Sequence, residues 1–169
     1  MLTSGPGSQR VLNRWRKGFG HYLAQQGYVV INSDGRGTNA RGRQWRNETY
    51  MRLGQKEADD QLSTAHFAAS LAFVDPERIA IIGWSYGGYQ AIRTMSEKED
   101  RMIKCGVAIA PVTDWRLYDT GYTERYFRNP EIIGRVFFTF NKISRHMPLD
   151  MGKDVLGFAE RCNGDGIKI

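Results

Sequence analysis

Three short apolar runs divide much of the chain into alternating strand-like and helix-like segments. The runs cover residues 28–32, 79–82 and 105–110, and each predicts a short strand buried on both faces. Between them, residues 55–72 carry alanines and a leucine on one helical face, and residues 89–95 form a shorter helix-compatible run. This alternation predicts an α/β fold, with a mostly parallel sheet and helices on both faces.

The remaining segments are less regular. Residues 11–26 place aromatic side chains at helical spacing ahead of Gly27, which predicts a helix that stops at this glycine. Residues 41–53 predict a loop. No clear element follows residue 130, so we divide the chain into residues 1–130, which carry the fold, and residues 131–169, which form a divergent tail without assignment.

Composition excludes several classes of protein. The chain has 169 residues, 41% of them hydrophobic and 25% charged, which is ordinary for a folded domain. Its net charge is +6, and the basic residues are scattered apart from residues 10–17 and 41–46. A phosphate-binding patch with interleaved tryptophans is one reading of these two segments, but without a nucleic-acid-binding motif they favour solvated surfaces. No apolar run reaches the about 18 residues that a membrane span requires. Cys105 and Cys162 lack metal-ligand spacing, so neither a metal nor a cofactor is expected.

The chemistry centres on the second predicted strand. It leads into Gly-Trp-Ser-Tyr-Gly at residues 83–87, and a helix-compatible run follows. A strand, a Gly-x-Ser-x-Gly turn and a helix form the context of a nucleophile elbow, which exposes the hydroxyl of Ser85 above the sheet. The backbone N–H of Tyr86 would then point at a developing oxyanion.

Two further segments lie near this predicted site. The polar loop 33–38 follows a predicted strand, and the carboxyl end of a parallel sheet is where ligands gather, although a simple turn explains the loop equally well. Tyr118, Tyr122 and Tyr126 recur every four residues after Trp115. Such a stripe is usually core packing, but its place after a strand beside the elbow favours the wall of a pocket.

With these segments in place, the chain resembles the catalytic domain of the prolyl oligopeptidase family of serine peptidases, and within it the dipeptidyl peptidase IV branch. The resemblance covers about residues 5–130. It is carried by residues 5–9, 34–38, 59–61, 83–89, 110–115 and 118–126. It implies a partial α/β-hydrolase fold that lacks its C-terminal strands, and therefore a fragment of a longer domain.

The resemblance also implies roles for individual residues. Ser85 would be the acylated nucleophile, and Tyr86 would supply an oxyanion-hole amide. A pocket for proline at the penultimate substrate position would be lined by Tyr86, Val112, Trp115, Tyr118 and Tyr122. The substrates would be peptides with proline or alanine second from the N-terminus. A homodimer of the full-length protein and a periplasmic, extracellular or cytosolic location are all compatible with the family.

This sequence departs from the family pattern at important positions. Thr3 stands where the branch has a tyrosine that completes the oxyanion hole. The triad Asp and His are not identifiable, because the contexts of Asp165, His146, His21 and His66 do not match the family. We therefore expect a serine peptidase domain that is nearly inactive as this chain. The alternatives are a non-catalytic remnant or pseudo-enzyme that binds a partner, and a general esterase-type acyl hydrolase.

Overall fold

A parallel sheet of three strands underlies the described part of the chain. The computed structural model describes residues 2–3, 5–15, 17–96 and 100–128. The strands lie side by side in the order β1 (Leu2–Thr3), β2 (Ala80–Trp84) and β3 (Cys105–Ile109). The central strand β2 pairs in parallel with both neighbours, and Ile82 stands opposite Leu2 on one side and Val107 on the other. The predicted parallel sheet is therefore confirmed.

Helices occupy the connections between and after these strands. They are α1 (Phe19–Gln25), α2 (Gly42–Asn47), α3 (Gln55–Ala69), α4 (Tyr86–Met95) and α5 (Thr120–Phe127), with 3₁₀ turns at Pro76–Arg78 and Trp115–Leu117. Within the described ranges, none of the helices has the length and apolar character to cross a membrane.

Small residues let α3 and α4 approach the sheet closely. Ile81 is fully buried in one cluster with Ala65 of α3 and Ala91 of α4. Ala80 and Ile82, whose side chains point to the other face of the strand, are only partly buried. The side of the sheet that carries Ile81 is therefore the better-packed one, and α4 is fixed there directly behind the elbow.

The predicted buried strand at residues 28–32 is wrong. Only Asn32 forms a bridge, and Tyr28 and Val29 are 49% and 48% exposed. An apolar run becomes a strand only if a neighbouring strand accepts its hydrogen bonds, and the run itself carries no information about that neighbour.

Two further local predictions need correction. The helix predicted over residues 11–26 is present only as α1, and Gly27 follows its C-terminal end with a φ of 88°. The loop predicted over residues 41–53 contains α2, since the Trp45 indole donates a hydrogen bond of 3.1 Å to the Gly35 carbonyl and anchors the segment. The predicted tail, residues 131–169, lies outside the described residues.

Candidate active site

The Gly-x-Ser-x-Gly motif forms a sharp turn from β2 into α4. Ser85 lies between the two elements with a φ of 56° and a ψ of −118°, a conformation that residues with a Cβ rarely adopt. A Cβ on Gly83 would overlap the backbone carbonyl of Gly87, so only glycine permits this approach of strand and helix. The turn leaves Ser85 exposed, as the elbow prediction requires.

The backbone around Ser85 is arranged by the adjacent strand. The N–H of Ser85 donates a 2.9 Å hydrogen bond to the carbonyl of Ile109 at the end of β3. Tyr86 begins α4, so its N–H has no carbonyl one turn earlier in the helix to bond. Ala110, directly after β3, has a φ of 44°. Strained non-glycine residues thus stand at the carboxyl ends of two neighbouring strands, a place where strain often accompanies function.

An aromatic cluster lies directly beside the elbow. Trp115 is 1% exposed and forms its centre. Its ring lies 5.6 Å from that of Tyr86, 5.7 Å from that of Tyr118 and 5.9 Å from that of Tyr122, the last nearly parallel to it. The structure therefore brings together the residues that the sequence assigned to a proline pocket.

The members of this cluster differ in exposure. Val112 and Trp115 are buried at 8% and 1%, and both belong to the hydrophobic core with Tyr86. Tyr118 is 40% exposed, and Tyr122 is partly buried. Burial raises the pKa of the Tyr122 phenol. The inner residues of the cluster are therefore part of the core and its outer tyrosines reach the surface, and a pocket wall at this place stays a prediction.

A buried carboxyl, which the sequence analysis missed, contacts Tyr86 of the elbow from helix α3. Glu57 is 3% exposed, and its Oε1 accepts a 2.5 Å hydrogen bond from the Tyr86 phenol. Burial raises the pKa of Glu57 to about 7, although the hydrogen bond from Tyr86 acts in the opposite direction. The signal available in the sequence was a glutamate at the third position of a helix that follows Gly54, a pattern that caps a helix start.

The polar loop 33–38 bonds to the turn at residues 5–8, and this turn contacts the elbow. The Gly7 N–H donates to the Gly37 carbonyl at 3.1 Å, and Gly5 in the same turn lies against the Tyr86 ring, where a Cβ would overlap it. The Arg36 guanidinium pairs with Asp60 of α3 at 2.8 Å. The loop therefore supports the turn that contacts Tyr86.

An open cavity of about 580 Å³ borders the outer side of the aromatic cluster. Charged, polar and aromatic side chains line it together with glycines. The lining residues are Pro6, Gly7, Asn39, Arg46, Asp119, Gly121, Tyr122, Arg125 and Tyr126. Tyr122 and Tyr126 both line the cavity and pack against the core cluster that contains Trp115. The concave surface thus combines polar groups with two aromatic rings.

The base of a catalytic triad is not found near Ser85 in the described ranges. His66 bonds through Nε2 to Asp100 at 2.6 Å, and the His21 ring packs against Trp15 with centroids 4.7 Å apart. Neither histidine hydrogen-bonds to Ser85 among the residues that the structure describes. His146 and Asp165 lie outside those residues. Over the same ranges, no group of three or more His, Cys, Asp or Glu residues is placed to hold a metal ion.

Comparison with known proteins identifies the family. The model of the prolyl oligopeptidase family matches residues 19–150. The chain belongs to this family. The match runs past residue 130, and the predicted boundary between fold and tail stays a prediction.

Relatives in this family share much of the sequence but are far longer. Dipeptidyl aminopeptidase B of Saccharomyces cerevisiae is 46% identical over 128 residues, which are 75% of this chain and 16% of the relative. A probable dipeptidyl-aminopeptidase B of Fusarium vanettenii is 48% identical over 129 residues, 76% of this chain and 14% of the relative. The chain thus spans about a sixth or less of the length of these relatives.

Solved structures of the family support the fold. Dipeptidyl peptidase 4 of Porphyromonas gingivalis superposes with a TM-score of 0.77 at 47% identity, covering 82% of this chain and 20% of the solved chain. A putative dipeptidyl aminopeptidase IV of Bacteroides ovatus also gives 0.77, at 37% identity over 83% of this chain and 20% of that chain. The predicted partial α/β-hydrolase fold is therefore confirmed, while the roles of individual residues stay predictions.

Proposed function

We propose that this chain carries the nucleophile of a serine peptidase that releases dipeptides from substrates with proline or alanine at the penultimate position. The Ser85 hydroxyl would attack the carbonyl carbon of this penultimate residue. The peptide bond to the next residue would break, the departing amine would take up the serine proton, and water would then hydrolyse the acyl-enzyme to release the dipeptide. The Tyr86 N–H would bind the oxyanion that develops. The observation that carries the proposal is the exposed Ser85 at a φ of 56°, in the turn that begins α4.

The aromatic cluster supports the substrate class. Trp115 is buried against Tyr118 and Tyr122, and these two tyrosines are the accessible part of the cluster, since Tyr118 is 40% exposed and Tyr122 is partly buried. A flat, apolar pyrrolidine ring packs well among aromatic faces, whereas a charged side chain would lose its hydration there. The adjoining cavity with Arg46 and Arg125 would accept polar groups of the peptide.

Turnover by this chain should be slow. A serine hydroxyl is a weak nucleophile until a histidine removes its proton, and neither His21 nor His66 bonds to Ser85 in the described part of the chain. Without the base, oxyanion binding and substrate positioning retain only about 10³–10⁴-fold acceleration over water. A non-catalytic binding role remains the alternative that this arrangement of histidines favours.

A strongly electrophilic reagent, used in excess over hours, tests the proposal, because a stable adduct accumulates on Ser85 even when attack is slow and turnover is not observed. The purified chain is treated with a fluorophosphonate, and the adduct is located by peptide mass spectrometry, with Ser85→Ala as the comparison. We expect one adduct, on Ser85, with hydrolysis of a Gly-Pro anilide close to background. No adduct on Ser85, or equal labelling in the Ser85→Ala chain, would contradict the proposal, and rapid anilide hydrolysis would show that a base is present.

A further inference from the structure

Both oxygens of the buried Glu57 carboxyl are used to hold backbone and side-chain groups next to the elbow. Its Oε2 accepts the N–H of Gly54 at 2.9 Å, and its Oε1 accepts the phenol of Tyr86 at 2.5 Å. One donor belongs to the start of α3 and the other to the first residue of α4. The carboxyl therefore ties the beginnings of these two helices together.

The side chain of Tyr86 is restrained on several sides at once. Gly5 lies against its ring, with no room for a Cβ. The Tyr89 ring meets it edge-on at 5.2 Å, and the Trp115 ring lies 5.6 Å away. The only polar atom of this side chain is the phenol held by Glu57. Packing thus surrounds the ring, and the Glu57 hydrogen bond fixes its far end.

The burial of Glu57 calls for a physical reason. A carboxyl without a cationic partner is costly to bury, and the ion pairs of the described residues do not include Glu57. Oxyanion donors are effective because the protein holds them in place before charge develops. The hydrogen bond from the Tyr86 phenol to Glu57, called the tether from here on, would contribute to this preorganisation by holding Tyr86 in place.

We propose that Glu57 is a positioning residue for the reaction at Ser85, holding the Tyr86 phenol and thereby fixing the direction of the Tyr86 backbone N–H. This assignment rests on the proposed function, since it concerns the donor that meets the oxyanion beside Ser85. Among the hydrogen bonds of the described residues, the Glu57 carboxyl bonds to Gly54 and Tyr86 and not to Ser85. Its effect passes through Tyr86.

Two variants change the hydrogen bond between Glu57 and Tyr86 from opposite sides. In Glu57→Gln, the amide has one acceptor oxygen for two donors, so either the Gly54 N–H loses its acceptor or the Tyr86 phenol must turn and accept from the NH₂ group. Tyr86→Phe removes the phenol and keeps the ring. Asp59→Asn is the matched control, because Asp59 lies on the same helix with a side chain 67% exposed.

The first readout is independent of any reaction. Labelling with ¹⁵N-tyrosine gives amide signals for the eight tyrosines of the chain, and the Tyr86→Phe variant identifies the Tyr86 signal by its loss. We expect Glu57→Gln to move the Tyr86 signal and to speed its hydrogen exchange about tenfold, while Asp59→Asn leaves it unchanged. An unchanged Tyr86 amide in folded Glu57→Gln would overturn the proposal.

The second readout is the concentration dependence of fluorophosphonate labelling, which separates reversible binding from the covalent step. In Glu57→Gln and Tyr86→Phe, the maximal rate should fall about tenfold while the half-saturating concentration changes less than twofold. This is smaller than the about 10²–10³-fold loss on removal of an oxyanion donor, because the N–H is displaced and not deleted. A purely structural defect would instead lower the fraction of labelled protein.

The two hypotheses fail in different ways. Equal maximal rates in the unsubstituted and Glu57→Gln chains would overturn the assignment of Glu57 and leave the nucleophile intact. Absence of Ser85 labelling in the unsubstituted chain would overturn the proposed function, and with it a catalytic meaning for the tether. If Glu57→Gln does not fold, Tyr86→Phe carries the same comparison.

Discussion

Aromatic residues are frequent both at the elbow and in the α1 segment (residues 15–25), yet only at the elbow are any of them buried, namely Tyr86 and Tyr89, while Trp84 stays 70% exposed. Trp115 beside the elbow is 1% exposed, whereas Trp15, a few residues before α1, is 79% exposed. No residue of α1 is buried, while most of α4 is. Aromatic spacing alone therefore does not predict burial. The elbow segment is buried because strands and helices distant in sequence pack around it, which the α1 segment lacks among the described residues.

The largest contrast should come from the two tryptophans. Trp115→Ala would leave a cavity at the centre of the aromatic cluster and should lower the free energy of unfolding by about 4 kcal/mol. Trp15→Ala changes an exposed ring and should alter it by less than about 0.5 kcal/mol. Chemical denaturation of both variants measures these changes in the free energy of unfolding. Similar losses in the two would show that the regions are equally packed.

Two glycine substitutions should have opposite signs. Gly83→Ala places a methyl group against the Gly87 backbone, which no side-chain rotation relieves, and should cost about 3 kcal/mol. Gly20→Ala adds a methyl group in α1 at ordinary contact distance from Val30 and should stabilise the helix by about 0.5 kcal/mol. Thermal unfolding of both variants checks the signs. A loss at Gly20 as large as at Gly83 would contradict the comparison.

Glu57 should give the elbow a characteristic pH dependence. Its pKa rises through burial from an ordinary 4.5 to about 7, with the nearby Asp60 acting in the same direction. Between these values the folded state holds a proton that the unfolded chain has released, so raising the pH destabilises the fold by up to about 3 kcal/mol.

Measuring unfolding from pH 4.5 to 7 in the parent chain and in Glu57→Gln isolates this effect, because other titrations cancel in the difference. Carboxyls with a lowered pKa, such as Asp75 beside the Glu77 N–H and Asp114 beside Arg116, titrate below this window. Their stabilisation is lost only at more acid pH. Parallel curves for the two chains would exclude a buried carboxyl at the elbow.

The smallest predicted effect concerns backbone strain. Ser85 has a φ of 56°, whereas the positive φ that follows α1 is adopted by Gly27. Ser85→Gly should therefore relieve strain and stabilise the chain by about 1 kcal/mol, while Gly27→Ala should destabilise it by a similar amount. Differential scanning calorimetry of the two variants measures both stability changes. A destabilised Ser85→Gly chain would mean that the serine conformation is not strained.

Local patterns were sufficient for the elbow and insufficient for the segments around it. The apolar run at 79–82, the glycine spacing of 83–87 and the helix after them are consecutive in sequence, so one continuous stretch determined the turn. The same apolar pattern at 28–32 did not form a buried strand, because pairing depends on a neighbour elsewhere in the chain. Helix α2 likewise depends on a contact between Trp45 and Gly35.

In the candidate site, too, contacts between residues distant in sequence could not be predicted from local patterns. Ser85, Tyr86 and the Trp115 cluster could be assembled from motif and resemblance, because the first two follow one predicted strand and the cluster belongs to the segment after the next. Glu57 was overlooked, since it lies on another helix and matters only through a contact between residues 29 positions apart. The fold was thus easier to predict than the interactions that hold its site.

The most direct test of the account is the selectivity of the reaction at Ser85. The chain is incubated with a Gly-Pro diphenyl phosphonate or with its Gly-Glu counterpart, and the adduct is located and quantified by peptide mass spectrometry. We predict an adduct on Ser85 that forms at least about ten times faster with the proline reagent. An adduct on another residue, or equal rates with the two reagents, would contradict a nucleophile elbow beside a proline-binding aromatic cluster.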